Sequence, residues 1–308
     1  MVDPADIGAH GPQRAEPRQF RLGIIGYGEI GHGLALGLAR AGLGSIAAFQ
    51  RAPHSSLTIE RAAASNVRLV GTPAELALSS DIIVAVTQGS QSMTAVRSIS
   101  SALDAQHCYI DLASATPQTK RHIALELAAS GALFADGVIE GSPLEHEHRF
   151  RVIVSGPGAQ TFADTLNPWG MRISIASAEV GRAAAIKGLR HILMKGQIAL
   201  LIECSIAAKR YGISDEVFAS VAEWYDALPF MTNASRLLRT TTVHAGRRAD
   251  EAQMAQSIME ELGIDPIMTR ATVEVLRKVE ALGLRQQLGG VVPTSSESAI
   301  DLIEAYNK

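Results

Sequence analysis

Two stretches of the 308-residue chain hold residue types at spacings that suit chemistry. The first is Gly26-Tyr27-Gly28-Glu29-Ile30-Gly31. A Gly-x-Gly-x-x-Gly run is a weak signal alone and a dinucleotide fingerprint when a strand precedes it and a helix follows. In that setting Gly26 permits the tight turn and Gly28 lets the backbone approach a pyrophosphate. Gly31 lets the helix pack closely on its strand, with the first amides of the helix facing the phosphates. The second stretch is Gly181-Arg-Ala-Ala-Ala-Ile-Lys187-Gly188-Leu189-Arg190-His191. Small residues before Lys187, and Gly188 after it, leave room for a ligand or another backbone. His191 follows one helical turn later and Lys195 two, a polar stripe on an otherwise apolar segment. A partly desolvated lysine loses its proton more easily, which suits exchange with a hydroxyl whose carbon gives up or accepts hydride. A lysine snorkelling from a helix end is the competing reading.

The elements that must hold these residues are legible around them. Residues 22–25 form an apolar run the length of a buried strand. A helix carrying Leu34, Leu36 and Leu38 stops at Gly42 and Gly44, and 46–49 reads as the next strand. The alternation continues with strands over 67–70, 81–86, 107–112, 132–138, 151–155 and 172–175. Helices fall between them, one opened by Thr72-Pro73 as N-cap and first helical residue. The expected fold class is α/β, a Rossmann-type, doubly wound, mostly parallel sheet over 20–177, after a disordered tail at 1–19. From 178 to 308 strand signals vanish and an all-helical domain is expected. It opens with a helix over 184–211 whose apolar residues cover most of its circumference, and so is expected buried between domains or protomers. Shorter helices are expected over 214–227, 232–238, 249–261, 266–282 and 295–306.

The end of the second expected strand bears on the kind of dinucleotide. A bare ribose 2′-hydroxyl wants a carboxylate there, and a 2′-phosphate wants a cation. The strand ends Phe49-Gln50-Arg51, with Ser55 and Ser56 beyond and no acidic residue before Glu60. Arg51 could fork onto a phosphate and stack on adenine, so NADP(H) is expected over NAD(H). Gln50, Arg51 and Thr87 join Gly26, Tyr27, Gly28, Glu29, Ile30 and Gly31 as the expected cofactor residues. Glu29 beside a dianion is odd; it caps the helix or faces solvent.

With Lys187 in view, the chain resembles the β-hydroxyacid dehydrogenases, which include 3-hydroxyisobutyrate and 6-phosphogluconate dehydrogenases. The resemblance runs in order through the first two-thirds of the chain. Gly26 to Gly31 looks like the family's cofactor loop, and Asp111-Leu-Ala-Ser114-Ala-Thr116-Pro117 like its substrate loop, the serine displaced by one. Asp136-Gly-Val-Ile-Glu140-Gly141-Ser142 is similar to its Asp-Ala-Pro-Val-Ser-Gly-Gly, and Gly181 to Lys187 to its Gly-x(5)-Lys stretch. The resemblance implies Lys187 as general acid–base, with Ser114, Thr116, Glu140, Gly141, Ser142 and His191 at the substrate. His191 stands where the family has Asn, and Glu140-Gly-Ser where it has Ser-Gly-Gly. The helical half, with His244-Ala-Gly-Arg247-Arg248, resembles a little-characterised branch with its own C-terminal helical domain. The resemblance thus implies the fold, the cofactor class and the catalytic lysine and leaves the substrate open. Taken with Arg51, the expected function is an NADP(H)-dependent oxidoreductase interconverting a small hydroxyacid, or a related alcohol, and its carbonyl form, with a carboxylate expected on the substrate. The alternatives are an imine reductase and a non-catalytic NADP-binding regulatory protein.

Other classes find little support. A net charge of −3 attracts no nucleic acid, and basic residues lack aromatic interleaving. No uninterrupted run of about 18 apolar residues occurs, so no membrane span is expected. No Gly-x-Ser-x-Gly elbow or Cys/His pairing suggests a hydrolase. Cys108 and Cys204 read as small core hydrophobes, and Glu145-His146-Glu147-His148 as a solvated loop, with no metal site expected. His244, Arg247 and Arg248 read as a charged solvent face, or as a binder of an acidic substrate group. A cytoplasmic enzyme is expected, and the apolar long helix suggests a homodimer.

Overall fold

The computed structural model describes residues 19–51, 55–141 and 146–307. The expected tail at 1–19 therefore falls almost wholly outside the described residues, as do Ser142 and Glu145. The described chain divides into two compact units, one up to Arg190 and one from His191 onward.

The first unit is an eight-stranded sheet. Its strands are β1 (Leu22–Ile25), β2 (Ile46–Phe49), β3 (Arg68–Leu69), β4 (Ile82–Ala85), β5 (Cys108–Asp111), β6 (Leu133–Glu140), β7 (Arg151–Ser155) and β8 (Arg172–Ser177). They lie in the order β3-β2-β1-β4-β5-β6-β7-β8. All neighbours pair in parallel except β6 and β7, which run antiparallel. The mostly parallel, doubly wound sheet expected from the alternating pattern is present. Strands buried on both faces account for the continuous apolar runs of β1, β4 and β5. Helices α1 (Glu29–Arg40), α2 (Ser56–Ala64), α3 (Pro73–Leu78), α4 (Ser92–Ile99), α5 (Pro117–Leu127) and α6 (Ala159–Leu166) connect the strands. Two apolar clusters form the core. One gathers Leu22, Ile24, Leu34, Val84 and Ile110, the other Ile25, Leu76, Ile83, Val96 and Ile123. The strand order reverses direction between β1 and β4. Such a switch point leaves a crevice beyond the carboxyl ends of those strands, where Gly26 and Thr87 lie.

The long helix α7 runs from Arg182 to Tyr211, beginning in the first unit and continuing into the second. The expectation that its apolar residues are buried fails within a single chain. Leu189, Ile192 and Leu193 are 67%, 71% and 57% exposed. By length and mean hydropathy (1.3) α7 could cross a membrane. An interruption-intolerant reading misses this, because Lys187, Arg190, Lys195 and Glu203 break the run.

In the second unit the two helices expected over 232–238 and 249–261 are one, Phe230–Glu261, kinked where His244 leaves helical geometry. Arg248 ties the kink together. Its guanidinium donates to the Leu237 carbonyl at 3.0 Å, to Thr240 Oγ1 at 2.7 Å and to Thr241 Oγ1. Arg248 is thus a half-buried structural residue rather than part of a charged solvent face, whereas Arg247 pairs in the open with Glu251. The kinked helix packs along Ile267–Ala281 and against Ser296–Ile303. Glu203 of α7 caps the Ile267–Ala281 helix, accepting from the Met268 and Thr269 amides at 2.6 and 3.0 Å.

Candidate active site

The turn between β1 and α1 meets the steric demands of its three glycines. Gly26 has φ +91°, a left-handed conformation that side chains rarely adopt. A Cβ on Gly31 would press into the Gly26 carbonyl oxygen, so only glycine lets α1 close onto the turn. A Cβ on Gly28, by contrast, would meet no protein atom within 4 Å. Gly28 thus leaves its backbone open to a ligand. Gln50, at the end of β2, accepts the Tyr27 amide at 2.8 Å and braces the turn. The Tyr27 side chain, 1% exposed, points away from the opening. Its hydroxyl lies 2.5 Å from Ser65 Oγ and donates to the Arg61 carbonyl at 3.3 Å, tying α2 to the turn. Glu29 is exposed in the first turn of α1, where a carboxylate complements the helix dipole.

A cleft of about 810 Å³ opens beside this turn, lined by Gly26, Gly28, Phe49, Gln50, Arg51 and Thr87 among others. Arg51 is exposed, and its guanidinium donates to Gln91 Oε1 at 3.3 Å. Thr87 Oγ1 is buried with no hydrogen-bond partner among the described residues, an arrangement that costs energy unless a ligand satisfies it. Open backbone at Gly28, a cation at the β2 end and an orphaned hydroxyl together fit a dinucleotide.

A second cleft, of about 230 Å³, adjoins the first, and Val86, Thr87 and Gln88 line both. Its other walls are Ile30, Gly89, Leu112, Ala113, Ser114, Ile139, Gly141 and Lys187. Lys187 Nζ donates to Ser114 Oγ at 3.0 Å. Burial holds the Lys187 ammonium below the usual lysine range. The neighbouring charges of Arg190 and Lys120 push it the same way, and Glu140 opposes them. Gly89 is another enforced glycine, since a Cβ there would collide with the Ser114 carbonyl.

The structure therefore brings Ser114, Gly141, Lys187, Thr87 and Ile30 to one cleft, and Gly26, Gly28, Gln50, Arg51 and Thr87 to the other. Thr116 is occupied as the N-cap of α5, accepting the Thr119 amide at 3.2 Å. Glu140 forms an ion pair with Arg190 and a longer one with Arg151 at 3.8 Å. His191, half-buried, is the first residue of the second unit. Sequence reasoning passed over Arg190, three residues from Lys187, whose pattern looks like an ordinary surface helix. It also misread His148. This residue is 3% exposed and donates from Nε2 to the Trp169 carbonyl at 3.0 Å, so it is a core histidine and not part of a solvated loop. Among the described residues no group of three or more His, Cys, Asp or Glu is placed to hold a metal. Both cysteines are free, and burial pushes the Cys108 thiol up to about 12.

Comparison with known proteins now bears on this geometry. Residues 21–172 match the NAD binding domain of 6-phosphogluconate dehydrogenase, and residues 208–279 match DUF1932, a domain of unknown function. The chain thus carries a 6-phosphogluconate dehydrogenase-like NAD binding domain followed by a DUF1932 domain. It is 28% identical to a solved conserved protein of unknown function, described as structurally similar to 3-hydroxyacid dehydrogenases. That match has a TM-score of 0.59 and covers 86% of this chain and 98% of the other. An imine reductase from Myxococcus stipitatus in complex with NADP+ shares the fold at 20% identity. Its TM-score is 0.74, covering 94% of this chain and 100% of that one. An uncharacterised 28.5 kDa protein of Methanothermus fervidus is 25% identical over 172 residues. That match spans 56% of this chain and 66% of the relative's length. The chain thus has an NAD(P)-binding, hydroxyacid dehydrogenase-like fold.

Proposed function

We propose that the protein is an NADP(H)-dependent oxidoreductase that interconverts a small hydroxyacid and its carbonyl form, with Lys187 as general acid–base. The observation that carries this reading is the hydrogen bond from Lys187 Nζ to Ser114 Oγ, in a cleft sharing Val86, Thr87 and Gln88 with the dinucleotide cleft. A nicotinamide held beside Thr87 would supply the hydride chemistry at the substrate carbon. Neutral Lys187 takes the hydroxyl proton as the C–H bond gives up hydride, and protonated Lys187 returns it to the oxygen in the reverse direction. Ser114 holds the Lys187 amine and, with the Gly141 backbone, a polar group of the substrate. That group is expected to be a carboxylate, drawn by the cationic form of Lys187. Arg51 favours the 2′-phosphate of NADP(H) over NAD(H). His191, one turn beyond Lys187, orients the substrate where the related enzymes use Asn. We assign the dinucleotide domain to residues 20–177 and the substrate and dimerisation domain to 178–308.

The exposed apolar side chains of α7, Leu189, Ile192, Leu193 and Ile202 among them, support a homodimer in which a second chain covers them. Such burial would also account for the helix's hydropathy in a cytoplasmic protein. A monomer by light scattering at micromolar concentration overturns the dimer.

Imine reduction is the second reading, supported by the shared fold. A protonated Lys187 could serve a C=N bond as it serves C=O. Lys187→Ala, with NADPH consumption followed against hydroxyacids, keto acids and cyclic imines, tests both. Turnover of the active class should fall roughly 10²-fold or more with NADPH affinity unchanged. Full activity in the variant refutes the assignment of Lys187.

A further inference from the structure

Beneath the Ser114–Lys187 pair lies a buried charge cluster that the chemistry above leaves unused. Lys120 in α5, Asp111 at the end of β5 and Asp136 in β6 are each 0% exposed. Lys120 Nζ donates to the Asp111 carbonyl at 2.7 Å and forms an ion pair with Asp111 Oδ2 at 3.1 Å. Asp111 Oδ1 accepts the Ala113 amide at 3.0 Å. These bonds fasten both ends of the loop that carries Ser114. Asp136 works on the other partner. Its Oδ1 accepts from Ser155 Oγ at 2.5 Å, Ser155 Oγ accepts the Ala183 amide at 2.9 Å, and Asp136 Oδ2 accepts the Ala184 amide at 3.4 Å. The first turn of α7, on which Lys187 stands, is capped from inside the sheet. Burial raises the Asp136 carboxyl above its ordinary range, and the charge of Lys120 opposes that rise.

An unexposed ion pair holds a loop no better than apolar residues of equal volume would. The charge on Lys120 is accounted for by what it acts on. We propose that Lys120 is a positioning residue for Lys187, fixing the Ser114 loop through Asp111 and placing the buried Lys120–Asp111 pair behind the lysine. The inference rests on the reading of Lys187 as the proton-transfer group. The charged groups bearing on Lys187 are Arg190 of α7, Lys120 of α5 and Glu140 of β6, and Asp136 meets α7 directly at the Ala184 amide. Arg190 pairs with Glu140 and Lys120 with Asp111; of the two cations only Lys120 is sealed from solvent, where its charge escapes screening.

Trace labelling of the full-length protein with acetic anhydride, read by peptide mass spectrometry across pH, tests this without any substrate, because only neutral amines react. Lys120→Gln keeps a donor for the Asp111 carbonyl and removes the charge. The Lys187 labelling midpoint should move to higher pH, and labelling near pH 8 should fall about twofold or more relative to Lys195. If Lys120→Gln does not fold, judged by circular dichroism and NADPH binding, the neutral pair D111N/K120Q replaces it and should move the midpoint in the same direction. An unchanged midpoint in whichever variant folds overturns the proposal. Failure of the proton-transfer reading appears separately, as full turnover in Lys187→Ala.

Discussion

Substituting Gly28 and Gly31 by alanine, one at a time, separates the two jobs of the glycine turn. Gly28 lies at φ −82°, ψ −155°, a conformation that alanine adopts freely, and its Cβ would meet nothing within 4 Å. Gly28→Ala should therefore change stability by no more than about 0.5 kcal/mol. In the proteins of this fold the space beyond Gly28 is where the pyrophosphate approaches, so the added methyl should weaken NADPH at least tenfold, about 1.4 kcal/mol. At a concentration of NADPH one hundred times the wild-type Kd, the cofactor adds about 2.7 kcal/mol to the stability of the wild type. In the variant it should add about 1.4 kcal/mol. Differential scanning fluorimetry reads this directly, because the NADPH-induced rise in Tm should fall by about half while the apo Tm stays put. Gly31→Ala is the opposite case. Its Cβ runs into the Gly26 carbonyl, an overpacking cost of about 1–3 kcal/mol, offset by at most about 1 kcal/mol of helix propensity. The apo Tm should drop by several degrees. A Gly28→Ala variant with the full NADPH-induced shift refutes the placement of the pyrophosphate at Gly28. An apo Tm lowered as much as that of Gly31→Ala refutes the reading of Gly28 as sterically open.

Arg51→Gln should cut the preference for NADPH over NADH by tenfold or more, measured as the ratio of the two Kd values; an unchanged ratio removes Arg51 from cofactor choice. Lys187 is held below the ordinary lysine range, so with its proposed role as acceptor of the hydroxyl proton, oxidation should rise with pH through its pKa. Reduction should fall over the same window, and both limbs should vanish in Lys187→Ala. Ser155→Ala orphans the buried Ala183 amide and should cost about 1–3 kcal/mol in denaturant unfolding. Leu193→Glu, on the exposed face of α7, should shift the protein to monomer in light scattering with its circular dichroism intact.

The parts of the fold that follow from local pattern were legible in the sequence. β1, β2 and β7 lie over the residues expected from their apolar runs, and the Thr72 cap of α3 accepts the Glu75 amide as its position implies. The cap signals, glycine stops and apolar runs act over a few residues, so no tertiary contact is needed to see them. Where tertiary contact decides, the local pattern misleads. Residues 239–248 read as a break between two helices, yet hydrogen bonds from Arg248 carry one helix across the kink at His244. His148 sits among charged residues and is drawn into the core by the Trp169 carbonyl.

The same division runs through the site. By itself the sequence determined that a dinucleotide turn exists at Gly26 to Gly31, that Arg51 closely follows the second strand and that Lys187 lies on a long helix, because these depend on neighbours in the chain. Only the tertiary structure decided that Lys187 meets Ser114, 73 residues apart in sequence, and that Lys120, unremarkable in an amphipathic helix, is sealed beneath them against Asp111. Burial and the charge it traps are properties of packing between distant strands, and no periodicity within α5 or α7 encodes them.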